Sequence, residues 1–121
     1  MKIVFPIDKF DEKNPLESKI ARHFGPANFY LITDENGNFI KKIQNVSTHH
    51  GGDKLPPDFL SDYDVNIIIC NDLGIKAIKR FDNLNIEVFI THENTVLKSF
   101  KTWQEDKLAK ANSKNGCHGH H

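Results

Sequence analysis

The sequence FYLITDENGNFIKKIQ occupies residues 29–44. Two runs rich in β-branched and aromatic residues, Phe29–Asp34 and Phe39–Gln44, flank the dipeptide Asn36-Gly37. Asn-Gly between two apolar runs is the strongest short-range signal for a β-hairpin, because a tight hairpin turn needs residues that accept a positive φ. The sequence therefore predicts two antiparallel strands joined by a short turn.

Three further strands are predicted, one before this hairpin and two after it. Residues 2–8 form an apolar run before it, and Pro6 within that run indicates that one side of the strand end is unpaired. Residues 65–70 are almost continuously apolar, as in a strand covered on both faces, and residues 86–90 form another apolar run. The sequence thus predicts a five-stranded sheet.

The second half of the chain alternates strand and helix. A helix over residues 73–81 is expected to begin at a cap provided by Asn71 or Asp72, and a last helix to begin at Thr91 or Asn94. The apolar stripe predicted for that last helix comprises Val96, Leu97, Phe100, Trp103 and Leu108. A short helix is also expected over residues 58–63.

These elements predict an α/β fold with helices on both faces of a mixed sheet. A right-handed crossover should make residues 65–70 and 86–90 parallel. The expected strand order is 3-2-1-4-5, with strand 2 reversed. The 121 residues suit one domain, predicted over residues 1–108, followed by a flexible tail over residues 109–121 that has few apolar side chains.

Charge and hydropathy narrow the function classes. Sixteen basic and sixteen acidic residues cancel, so the chain lacks the overall positive charge that a protein binding the phosphate backbone normally carries. No apolar run approaches the roughly 20 residues that span a bilayer, and the N-terminus does not resemble a signal peptide. We therefore expect no nucleic-acid or membrane partner and a cytoplasmic location.

His23 stands at a predicted bend between scaffold elements. Gly25 and Pro26 follow it, and both favour a sharp change of chain direction. In one interpretation Phe24 anchors the turn in the core and His23 simply faces solvent. In the other, His23 is a metal ligand; since one imidazole cannot hold a bare ion, it would bind a preassembled cluster or contribute to a shared site. Arg22 could then contact an anionic ligand.

Other histidines lie in two polar segments. His49, His50 and Gly51 could add ligands or backbone donors to the same site, or could belong to an ordinary solvent loop. A second group that could gather metal ends the chain and comprises Cys117, His118, His120 and His121.

Signals for an enzyme are few. Asp8, Asp34 and Asp72 could imitate the carboxylate cluster of a two-metal nuclease, but Asp34 begins the hairpin turn and Asp72 suits a helix cap. The chain has neither a glycine-rich phosphate loop nor a nucleophile elbow. We therefore expect a protein that is not an enzyme.

Several of these segments together resemble the dinitrogenase iron–molybdenum cofactor biosynthesis family. The resemblance rests on residues 1–8, the Arg22–Ala27 bend, the strand over residues 29–34, the loop containing His50-Gly51-Gly52 and the ending Cys117-His118-Gly119-His120. It implies a ribonuclease H-like fold and a role in binding or carrying an iron–sulfur or iron–molybdenum-type cluster during cofactor assembly. It also implies that His23 matches the histidine associated with cluster binding.

Two functions follow as expectations. The first is a non-enzymatic carrier that binds such a cluster through His23, with metallocofactor assembly or target proteins as its partners. The alternative is a mononuclear metal-binding or metal-sensing module that uses the C-terminal group of cysteine and histidines.

Overall fold

A computed structural model of the chain describes residues 1–45, residue 60 and residues 63–111. Within them, six strands form one sheet in the order β3-β2-β1-β4-β5-β6, and two α-helices follow β4 and β5. The bounds are β1 Lys2–Ile7, β2 Phe29–Asp34, β3 Phe39–Gln44, β4 Ile67–Cys70, α1 Ile75–Asn83, β5 Glu87–Ile90, α2 Val96–Gln104 and β6 Ala109–Ala111. A 3-10 turn spans Pro15–Glu17.

The predicted order of the first five strands is confirmed. β2 is antiparallel to both β1 and β3, whereas β4 is parallel to both β1 and β5. The hairpin turn forms at Asn36-Gly37, with Gly37 at a φ of 86°. Asp34 accepts hydrogen bonds across this turn from Asn36 and Asn38, and the bonds from Asn38 are the main cause that lowers the pKa of Asp34. The ribonuclease H-like assignment stays a prediction.

Helices cover both faces of the sheet, as expected. Successive side chains of a strand point to opposite faces, so β1 contributes to two separate cores. Val4 belongs to the core that contains Ile78 and Phe81 of α1. Ile3, Phe5 and Ile7 belong to the core that contains Val96 and Phe100 of α2. The architecture is therefore three-layered, with β1 in its middle.

Within the described residues the sheet already has six strands, so the prediction of five strands and of a tail beginning at residue 109 was wrong. β6 pairs antiparallel with β5, and Ala111 is buried. Strand pairing satisfies the hydrogen bonds of backbone groups and needs no large apolar side chain. The scarcity of apolar residues therefore did not indicate whether residues 109–111 form a strand. Lys110 also pairs with Glu87 of β5 at 2.6 Å. Residues 112–121 of the predicted tail lie outside the described residues.

Both predicted helix starts were also wrong, the nearer predicted cap by two residues for α1 and by one residue for α2. α1 begins after Gly74, which has no side-chain cap, so neither Asn71 nor Asp72 caps it. α2 begins after Thr95, whose hydroxyl accepts a hydrogen bond from the Lys98 amide. Several Asn, Asp and Thr residues precede each helix, and sequence spacing cannot rank them as caps. Most of the predicted helix over 58–63 lies outside the described residues.

Pro6 interrupts the central part of the sheet. The register between β1 and β4 covers only Ile3 and Val4, two residues before Pro6. Beyond this point the Ala21 amide donates to the Pro6 carbonyl at 2.8 Å, and Ile20 forms an antiparallel bridge with Ile7. Because β2 occupies the other side of β1, residues 20–21 take the side toward β4. The missing N–H of proline thus makes room for the segment that leads to His23.

Candidate functional site

The carboxyl ends of the parallel strands define one edge of the sheet. β1 leads to β2 on one side, whereas β4 leads through α1 to β5 on the other side. The connections therefore diverge between β1 and β4, and ligands of open α/β sheets bind in the crevice at such a point. The end of β3 also lies at this edge, because Ile7, Phe29 and Gln44 are in register across three strands.

Residues 20–21 carry the chain into this divergence point, and Arg22 and His23 follow there. The side chain of His23 is 59% exposed, and Arg22 is exposed too. Phe24 is buried and packs against the rings of Tyr30 and Phe81, at centroid distances of 5.0 and 5.6 Å. Phe24 therefore anchors the turn while His23 projects from it, so both sequence interpretations agree with the placement of His23.

Two buried side chains hold the backbone of the turn after His23. The hydroxyl of Tyr30 in β2 donates to the Phe24 carbonyl at 2.9 Å. The amide of Asn45, just after β3, donates to the carbonyls of Gly25 and Ala27, both at 2.7 Å. Tyr30 and Asn45 are each at most 1% exposed. We call these two residues the clamp, and sequence reasoning missed both.

The clamp changes the role predicted for Gly25. Gly25 does not have a positive φ, and a Cβ added there would meet no atom within 4 Å. The bend therefore does not need glycine at this position, contrary to the prediction. Hydrogen bonds from the sheet fix it instead.

Burial makes the Tyr30 hydroxyl a permanent donor. Removal from water raises the pKa of Tyr30 well above its ordinary value of 10.0, and the nearby Cys70 adds to the rise. The hydroxyl therefore keeps its proton, and can donate to the Phe24 carbonyl, up to a higher pH than an exposed tyrosine hydroxyl.

His23 faces a carboxylate from the neighbouring strand connection. Its Nδ1 lies 3.7 Å from Oδ1 of Asp72, which follows β4 and is 54% exposed. Asp8 and Asp72 lie at the same edge of the sheet, but Asp34 is paired in register with Lys2 at the opposite end of β1. The three carboxylates of the nuclease hypothesis are therefore not brought together. The position of Asp72 directly after a buried parallel strand was the available signal for its placement.

The remaining predicted site residues lie outside the described residues. They are His49, His50 and Gly51 of the loop after β3, and Cys117, His118, His120 and His121 of the C-terminal group. Among residues 1–45, 60 and 63–111, no three His, Cys, Asp or Glu side chains are grouped to hold a metal ion. At the His23 turn the possible donors are one exposed imidazole and the Asp72 carboxylate 3.7 Å from it, with Arg22 next in the sequence. This set fits a single bond to a preformed cluster and not a bare-ion site.

A cavity of about 700 Å³ lies beside this region. Residues 8–13 and 17–21 line it, the segment that connects β1 to Arg22. His23 and Asp72 do not line it, so the cavity is distinct from the His23 turn. Its walls carry both positively charged lysine side chains and negatively charged carboxylate side chains.

Known proteins resemble this chain in sequence and in fold. The chain is 30% identical to the uncharacterized protein MJ0580 of Methanocaldococcus jannaschii over 115 residues, 91% of each chain. The apo form of the orange protein from Desulfovibrio gigas superposes with a TM-score of 0.74 at 16% identity, covering 91% of this chain and 92% of that one. A NifB-like protein from Thermotoga superposes with a TM-score of 0.69 at 23% identity, covering 88% and 90%. These two structures share the fold.

Among the described residues, no helix combines the length and the hydropathy of a membrane-spanning segment.

The profile described as dinitrogenase iron-molybdenum cofactor matches residues 1–106, which include β1–β5, both helices, the clamp and the His23 turn. With most of its length matched, the chain belongs to the dinitrogenase iron–molybdenum cofactor family.

Proposed function

We propose that this protein is a non-enzymatic carrier that binds an iron–sulfur or iron–molybdenum-type cluster through His23 during metallocofactor assembly. The observation that carries the proposal is an imidazole 59% exposed on a turn that Tyr30 and Asn45 hold at the divergence point of the sheet. A fixed ligand in an open position can bond to a cargo whose other coordination is complete. Membership of the family supports a cargo of this class.

One neighbour of His23 suits an anionic cluster. Arg22 is exposed beside it and offers a positive charge with a planar set of donors. Asn45 is bonded to the same turn and lies four residues before His49. His49, His50 and Gly51 are accordingly proposed as additional contacts.

Anaerobic reconstitution tests the proposal. The wild type, His23→Ala and His92→Ala are each treated with iron and sulfide, or with extracted iron–molybdenum cofactor, and the visible absorption of the bound cluster is measured. His92 is an exposed histidine just after β5 and serves as the matched control. We expect His23→Ala to lose most of the absorption and His92→Ala to keep it. Equal absorption in the wild type and His23→Ala would refute His23 as the ligand.

The same assay separates the carrier from the mononuclear metal-binding module. Deletion of residues 116–121 removes Cys117, His118, His120 and His121 together. The carrier largely keeps its cluster after this deletion, whereas a module built on that group loses its metal. Recipients and donors of the cluster, namely assembly or target proteins, are the partners that the proposal implies.

A further inference from the structure

Asp72 is the carboxylate that faces His23. The 3.7 Å between His23 Nδ1 and Asp72 Oδ1 exceeds a direct N–H···O hydrogen bond by less than about 1 Å. Both side chains are more than half exposed, so a small rotation closes this distance without disturbing the core. Asp72 makes no side-chain cap for α1, although it lies two residues before the N-cap Gly74.

We propose that Asp72 is a positioning residue that selects which nitrogen of His23 meets the cargo. A neutral imidazole carries one N–H, and the other nitrogen has the lone pair that bonds to a metal. A carboxylate beside Nδ1 favours the proton there and leaves the lone pair on Nε2. Histidine ligands of metal sites commonly donate their second N–H to a carboxylate in this way. This inference rests on the proposed function, because it takes His23 as the ligand.

The two residues reach each other from separate connections of the sheet. His23 follows the segment inserted beside β1, and Asp72 follows β4. The pair therefore bridges the divergence point, and the orientation of the ring depends on the β1–β4 pairing beneath it. Arg22, exposed on the same turn, offsets the negative charge that Asp72 presents to an anionic cargo.

The tautomer can be measured without any cluster. Long-range ¹H–¹⁵N correlation spectra of the histidine rings of the 121-residue chain without cluster, recorded at one pH of about 8.5, distinguish protonated from unprotonated nitrogen. We expect wild-type His23 to show a protonated Nδ1 and an unprotonated Nε2. In Asp72→Ala this preference should be lost. The matched control is Glu105→Ala, since Glu105 is an exposed carboxylate that pairs with Lys107 beyond the end of α2.

Cluster affinity provides the second readout. Loss of a carboxylate behind a ligand histidine lowers metal affinity about tenfold or more, so Asp72→Ala should bind reconstituted cluster at least tenfold more weakly than Glu105→Ala. An unchanged His23 tautomer in Asp72→Ala overturns the inference, and so does unchanged affinity. Equal cluster binding by the wild type and His23→Ala instead overturns the proposed function, whatever tautomer the apo protein shows.

Discussion

The hydroxyl oxygen of Tyr30 lies 2.9 Å from the carbonyl oxygen of Phe24, which joins the middle of the sheet to the residue after His23. Tyr30 is fully buried, and the ring of Phe24 packs on its own ring. The contact couples the stability of the core to the position of the candidate ligand. Its removal should therefore affect both.

Tyr30→Phe keeps the ring and removes only the hydroxyl. Because the Phe24 carbonyl then loses a buried donor, we expect the free energy of unfolding to fall by about 1–2 kcal/mol. Urea denaturation at pH 7 measures this loss. A variant as stable as the wild type, with unchanged cluster binding, would show that the bond holds nothing in place.

The raised pKa of Tyr30 also predicts a dependence on alkaline pH. The folded state holds the phenol proton above the ordinary pKa of 10.0, whereas the unfolded state releases it. The contribution of Tyr30 to stability is therefore complete below pH 10 and declines above it, by up to about 1.4 kcal/mol for each pH unit. Tyr30→Phe should show a shallower decline when urea denaturation is repeated between pH 9 and 11.

Asn45→Asp tests the other half of the clamp. The Asn45 amide donates to two carbonyls, and a carboxylate in its place can donate to neither and carries a buried charge. We expect a loss of about 2 kcal/mol or more at pH 7 by denaturant unfolding. Asn14→Asp makes the same chemical change at an exposed position and should cost little. Similar losses in both variants would contradict the role given to Asn45.

Gly37→Ala should destabilise the hairpin, whereas Gly25→Ala should not. A Cβ at Gly37 would lie 2.8 Å from Cε2 of Phe100, and the positive φ there disfavours alanine as well. Together these effects should cost about 1–3 kcal/mol in thermal or urea unfolding. Gly25 has open space around it and no positive φ. A larger loss at Gly25 than at Gly37 would mean that the bend needs glycine after all.

Truncation separates β6 from the residues after it. A chain that ends at Ala111 keeps the pairing of β6 with β5, whereas a chain that ends at Leu108 leaves the edge of β5 bare. We expect the shorter chain to lose about 2 kcal/mol of unfolding free energy relative to the longer one, and to aggregate more readily through its open edge. Matching denaturation curves and sedimentation profiles for the two chains would contradict the claim that the pairing of β6 with β5 stabilises the fold and covers the edge of the sheet.

Local chemistry explains which parts of the fold were predictable. The hairpin was predictable because Asn36-Gly37 sets its own turn, and the parallel strands because buried strands are continuously apolar. β6 could not be foreseen, since Ala109–Ala111 pairs through backbone groups that every residue carries. Helix starts were missed because several good capping residues precede each helix.

The candidate site also has some features that the sequence predicts and others that it does not. The exposure of His23 follows from a short turn anchored by the buried Phe24, and neighbouring residues sufficed to predict it. The clamp and Asp72 involve contacts between residues 6 to 49 positions apart in the chain. Such contacts depend on strand order and register together, so spacing in the sequence could not reveal them.

The short pairing of β1 with β4 has a consequence for how His23 can be reached. Because residues 20–21 occupy the place beside Pro6, the loop bearing His23 rises from the middle of the sheet's end and not from its rim. β2 and β3 flank that loop on one side, and β4, β5 and β6 flank it on the other. His23 is therefore reached end-on, along the strand axis, and not across the edge of the sheet.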